Sequence, residues 1–190
     1  NLPRGGSKTL LQRLQARVRE AFIPPPGYLL CSVDYDTIEL RTLAQVCLWL
    51  VGRSKLADAL NDGLDPHLML AADQFLHVSY DEALKRKRDK DVVEKRTLSK
   101  AVNFGLPGGM SAESFREFAK ASYDVILSSE EAKVLKAKWL AQWPEMTDYF
   151  RVIAGLVRDI DDKGDQVGDI EQFVSGRIRG RARYTAMANS

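Results

Sequence analysis

Three carboxylates, Asp34, Asp36 and Glu39, fall within six residues of one another. The apolar, β-forming stretch 28–33 ahead of them predicts a buried strand, and 38–51 reads as a helix. The acids therefore stand where a strand ends and a helix begins. A carboxylate in that place can hold a hard cation such as Mg²⁺ at the mouth of a sheet. Acids before a helix also serve as N-caps or as partners of the helix dipole, and Asp36 fits that simpler role.

A second constellation is cationic. Arg96, Lys100 and Phe104 are spaced i, i+4, i+8, which on an α-helix puts two cations and an aromatic ring on one face. Cations suit phosphates and a flat ring suits a sugar and base, so the stripe matches a nucleoside triphosphate. An ordinary amphipathic helix has the same spacing. The nearby Lys85, Arg86, Lys87, Arg88, Lys90 and Lys95 are offset by Asp89, Asp91 and Glu94 and read as a solvated face. A third cluster, Arg177, Arg179, Arg181 and Arg183, has period two, so a strand would show four cations on one face, suited to a phosphate backbone. An edge strand guarded by charge is the alternative.

The elements that must position these groups follow from the punctuation of the chain. Residues 1–20 are basic with helical apolar spacing, and the Pro24-Pro25-Pro26-Gly27 break follows. Beyond the first strand and helix nearly everything is helical: 55–60, 66–75, 80–88, 91–104, 111–121, 129–142 and 144–161. Pro107-Gly108-Gly109 ends the helix that carries the stripe, Ser129 is the expected N-cap of the sixth of these, and Pro144 suits the first turn of the last. Segments 170–174 and 178–185 predict a hairpin about Ser175-Gly176. The layout is α+β, a sheet interrupted by a helical subdomain. With 45% apolar and 28% charged residues the 190-residue chain can bury a core, and its net charge of +2 excludes any global electrostatic argument for nucleic acid. Cys31 and Cys47 both read as reduced core thiols. Two histidines and two distant cysteines disfavour a zinc site, and no signal peptide or bilayer-length apolar segment is evident.

Two strings tie these features to a family. Asp34-Tyr35-Asp36-Thr37-Ile38-Glu39-Leu40-Arg41 closely resembles the first polymerase motif of family A DNA polymerases, the DNA polymerase I group. Arg96-x-x-x-Lys100-x-x-Asn103-Phe104-Gly105 followed by Gly109 resembles the second. The two occur in family order, roughly 60 residues apart. The resemblance implies that Asp34 binds two Mg²⁺ ions and that the Tyr35 carbonyl helps hold one. It implies that Glu39 blocks a ribose 2′-hydroxyl, that Arg96 and Lys100 grip the triphosphate, and that Phe104 packs on sugar and base. His67, in Asp65-Pro66-His67, is placed near the triphosphate by the same likeness. Arg4 and Arg19 resemble DNA-proximal palm residues, and the arginine row is read as a DNA contact. The sequence departs from the family at Gly108, where a Tyr that helps hold the template base is usual. The Pro-Gly-Gly version is similar to phage-encoded members.

The implied organisation is a first part of the palm at 1–50, helical fingers at 51–164, and a returning palm hairpin at 165–190 that stops before the third motif. The implied reaction is template-directed DNA synthesis, joining deoxynucleoside triphosphates to a primer 3′-hydroxyl on primer–template DNA, in the cytoplasm and without a membrane. The first and last residues suggest a fragment, and no His-Asp-Glu string supplies the second catalytic Asp, so the chain alone is expected to be inactive. Two other readings stay open. One is a single-subunit RNA polymerase, against which Glu39 argues; the other is a non-catalytic nucleic-acid-binding module descended from a polymerase.

Overall fold

The computed structural model describes residues 21–172, 174–184 and 188. Two compact units divide at Asp36/Thr37. Arg4 and Arg19 lie outside the described residues.

In the described part of the first unit, segment 28–33 forms no strand. The expected buried strand is instead exposed chain, with Leu29 94%, Val33 80% and Tyr35 76% accessible. An apolar run becomes a strand only when a neighbouring strand takes up its N–H and C=O groups, and no described strand pairs with it; the Tyr28 N–H instead donates to Pro25 O at 3.0 Å in a turn. Cys31, expected in a core, is exposed for the same reason.

The second unit is a stack of helices: α1 (Ile38–Val51), α2 (Lys55–Asn61), α3 (Pro66–Ala71), α4 (Tyr80–Lys85), α5 (Lys90–Gly105), α6 (Ala112–Tyr123), α7 (Ser129–Gln142) and α8 (Glu145–Leu156). A π turn, Ala72–Leu76, extends α3. Serines set several starts: the side chains of Ser54, Ser79, Ser111 and Ser128 each accept an N–H of the first turn. The α7 cap is Ser128, one residue earlier than expected. Glu131 reaches back to the Ser128 N–H at 2.8 Å while Ser128 Oγ accepts from the Glu131 N–H at 3.2 Å, a reciprocal pair that fixes the boundary. Asp36 is not the α1 cap. Thr37 holds that position in a left-handed conformation, φ 49°, without a side-chain cap bond.

One core runs through the unit, joining Leu40 and Cys47 of α1 to Leu56, Val102, Phe115, Trp139, Trp143, Met146 and Ile153. A smaller cluster gathers Leu68, Ala72, Ala83 and Val92. Gly105 sits where α5 meets α6: a Cβ there would lie 2.8 Å from both Phe115 Cδ2 and Phe118 Cδ1, so the crossing needs glycine. Glu145, 1% exposed, ties α8 to α2, its Oε1 accepting from Ser54 Oγ at 3.1 Å and the Leu56 N–H at 2.9 Å.

The last helix ends at Leu156 rather than 161, because Asp159–Ile160 becomes β1 and pairs antiparallel with β2 (Gln166–Glu171). Asp161 Oδ1 accepts the N–H groups of Lys163 and Asp165, both at 2.9 Å, and makes the turn. Strand β3 (Ile178–Ala182) completes an antiparallel sheet in the order β1-β2-β3. No helix among the described residues is long and apolar enough to cross a membrane.

Candidate nucleotide site

Helix α5 runs unbroken from Lys90 to Gly105, so Arg96, Lys100 and Phe104 do share a face, spread over ~12 Å at 1.5 Å per residue. The helix is held from behind by Asn103, 1% exposed. Its Oδ1 accepts from Trp139 Nε1 at 3.0 Å and Trp143 Nε1 at 3.1 Å, and its Nδ2 donates to Pro66 O at 3.2 Å and lies 3.1 Å from His67 Nδ1. One amide thus joins α5 to the start of α3 and the end of α7, with all its hydrogen-bonding capacity used.

Each stripe residue has its own setting. The Arg96 side chain, 40% exposed, places Nε and Nη2 each 2.7 Å from Asp65 Oδ2. The other Asp65 oxygen, Oδ1, caps α3 by accepting the N–H groups of His67 at 2.9 Å and Leu68 at 3.2 Å. Lys100 is exposed, with no ion-pair partner among the described residues. Phe104 is half-buried, its ring centroid 5.1 Å from that of His67 at an interplanar angle of 50°. His67 itself is 1% exposed, so its ring backs Phe104 and hydrogen-bonds Asn103 from inside the fold.

Arg86 between α4 and α5 is saturated by Glu82, Asp89 and Asp91, which matches a solvated charged face. Of the first motif, Asp34, Tyr35 and Glu39 are all exposed. Burial, and then the charge of Glu39, hold the Tyr123 phenol above its usual pKa, which brings the end of α6 into the electrostatic reach of Glu39. Among the described residues no group of three or more His, Cys, Asp or Glu side chains could hold a metal ion. The donors present therefore do not by themselves make the Mg²⁺ site that the first motif implies.

The arginine row does not line one face. A bulge lies between the Gly168↔Ala182 and Ile170↔Arg179 pairs, setting Gly180 and Arg181 opposite Asp169. Arg181 takes a left-handed φ of 51°, and its N–H donates to Asp169 Oδ1 at 2.8 Å. The extra residue reverses the alternation, so Arg183 falls on the face opposite Arg179. There it pairs with Asp165, and with Asp161 at 3.8 Å. Arg177 and Arg179 stay exposed.

Sequence reasoning quoted Asn103 and Asp65 within motif strings without giving either a role, and gave none to Glu145. The available signal was polarity in the wrong place, since Asn103 interrupts the apolar run 101–106. Tyr184 falls within the expected strand 178–185 and has no role assigned from the sequence. Its ring lies against Gly109, whose φ is +72° and whose added Cβ would fall 2.5 Å from Tyr184 Cε1.

Helix α5 thus carries two cations and an aromatic ring along one face, with close-packed glycines at 105 and 109. The DNA polymerase family A model matches residues 7–162, and the chain belongs to that family. It is 28% identical over 158 residues to DNA polymerase I of Aquifex aeolicus, covering 83% of this chain and 25% of that protein. It is 34% identical over 143 residues to DNA polymerase I of Rhizobium leguminosarum, covering 75% and 12%. A phage protein, the DNA polymerase of Mycobacterium phage D29, is 32% identical over 138 residues, covering 72% and 19%. The chain thus spans a quarter or less of the length of these relatives.

Proposed function

We propose that this chain forms the nucleotide-gripping part of a DNA-templated DNA polymerase, in which a primer 3′-hydroxyl attacks the α-phosphate of a deoxynucleoside triphosphate. The observation that carries the reading is the α5 stripe: an Arg with free donors, an exposed Lys without an ion-pair partner among the described residues, and a braced Phe on one helix face. In this reading Arg96 and Lys100 neutralise the triphosphate, and Lys100 can give a proton to the departing pyrophosphate. Phe104 lies against the sugar and base. His67, buried behind Phe104, braces that ring rather than reaching the triphosphate itself.

Asp34 and the Tyr35 carbonyl are this chain's contribution to binding Mg²⁺, and further carboxylates are needed to complete that site. Glu39 excludes a ribose 2′-hydroxyl, which favours DNA over RNA synthesis. Residues 1–50 act as palm, 51–164 as fingers and 165–190 as a returning hairpin. Arg4, Arg19, Arg177, Arg179, Arg181 and Arg183 contact primer–template DNA, with Arg183 doing so only if it leaves its two aspartates.

The test is Lys100→Ala in a complete family A polymerase carrying this segment. A charge-assisted phosphate contact is worth roughly 1.5–3 kcal/mol, so nucleotide incorporation should fall ~10- to 100-fold while DNA affinity holds. Unchanged incorporation would reduce the stripe to a solvated face. The alternative reading is a non-catalytic nucleic-acid-binding module. It would bind DNA with no nucleotide-dependent effect of Lys100→Ala.

A further inference from the structure

We infer that Asp65 is a positioning residue for phosphate recognition: it fixes the Arg96 guanidinium so that its remaining N–H donors face an incoming triphosphate. The inference rests on the reading of α5 as a nucleotide site.

The argument starts from how Asp65 divides its two oxygens. Oδ1 is committed to the α3 cap, and Oδ2 takes both Arg96 Nε and Nη2 at 2.7 Å. The carboxylate cannot wander, because its own backbone N–H donates to Tyr80 Oη at 2.9 Å and Pro66 follows at the first helical position. Arg has five N–H donors in a rigid plane. Two are taken on one edge by Asp65, which leaves both Nη1 hydrogens and one on Nη2. An unheld arginine must lose rotamer freedom when it grips a ligand, and one held by its inner edge has already done so. A cleft of about 340 Å³, lined in part by Asp65, Arg96, Lys87 and Thr97, opens beside the pair, so the guanidinium is not sealed in. Asp65 touches no substrate in this scheme; it acts through Arg96.

The cap and the arginine hold are separable by substitution. Asp65→Asn keeps a side-chain oxygen for the α3 cap, since Asn and Asp cap about equally well, but removes the charge facing Arg96. Asp65→Ser also caps and is too short to reach the guanidinium. The experiment titrates dTTP, dTMP and inorganic triphosphate onto the 190-residue chain and its variants, with the melting temperature taken alongside. Both variants should weaken dTTP and triphosphate binding by roughly 5- to 20-fold, the range for loosening one charge-assisted contact. Binding of dTMP should change less than 2-fold, a split that a loss of fold would not give. In the Arg96→Ala background, Asp65→Asn should have no further effect.

Equal losses of dTTP affinity with and without Arg96 would overturn the inference, because Asp65 would then act through the fold. Tighter dTTP binding on Asp65→Asn would also overturn it, making Asp65 a competitor of phosphate. Unchanged binding in Asp65→Asn with a clear loss in Arg96→Ala would sink the positioning role and leave the nucleotide site standing. No loss in Arg96→Ala would remove the site and the inference together.

Discussion

Asn103→Ala should be among the most damaging single changes in the α5 region, and the structure gives its size. The amide is 1% exposed, and the indoles of Trp139 and Trp143, each also 1% exposed, both donate to its Oδ1. Truncation strands two buried N–H donors. Leaving a buried donor unsatisfied costs about 1–3 kcal/mol, so the two indoles alone imply ~2–6 kcal/mol. The loss on the Pro66 and His67 side adds to this, while water entering the gap offsets part of it. A net destabilisation of about 3–5 kcal/mol follows, a large share of what an ordinary domain has. Urea unfolding followed by tryptophan fluorescence measures it, since two of the three tryptophans report on this site. The mechanism is checked by a cycle: with Trp139→Phe in place one stranded donor is gone, so Asn103→Ala should cost about 1–2 kcal/mol less. A loss under 1 kcal/mol, or no coupling to Trp139, would refute the idea that this amide holds the helices together.

Gly105→Ala should destabilise by about 1–2 kcal/mol, because overpacking against Phe115 and Phe118 outweighs the gain in helix propensity; thermal unfolding reads it. Cys31 should react with a thiol reagent at once and Cys47 only on unfolding, as their exposed and buried positions require. Burial first, then Glu145, pushes the Cys47 thiol from 9.0 up to about 12. The folded state keeps a proton that the unfolded chain releases, so stability should fall as pH rises from 9 towards 12, and Cys47→Ala should remove that part of the decline. In the complete polymerase, Glu39→Ala should raise the ratio of ribo- to deoxynucleotide incorporation, read in single-nucleotide extension; an unmoved ratio would free Glu39 of the gating role.

Much of this was legible because helix punctuation is local. Ser54, Ser79, Ser111 and the Pro107-Gly108-Gly109 break mark boundaries through contacts a few residues away, and the i, i+4, i+8 stripe needs nothing but an unbroken helix. What failed was non-local. A strand at 28–33 depends on a partner that no apolar run can specify. The arginine row kept its period in sequence and lost it to one extra residue in β3, where the Arg181 N–H finds Asp169. The Asn103 bonds reach 36 to 40 residues away, and no spacing rule spans that gap.

The central claim is that the Arg96–Lys100–Phe104 face of α5 receives a deoxynucleoside triphosphate. Photocrosslinking of an azido-deoxyadenosine triphosphate to the chain, followed by peptide mapping, tests it most directly. The account predicts label on the α5 peptide that contains Phe104, displaced by unlabelled dATP and lost in the Arg96→Ala, Lys100→Ala double variant. Label elsewhere on the chain, or label on α5 that survives the loss of both cations, would contradict it.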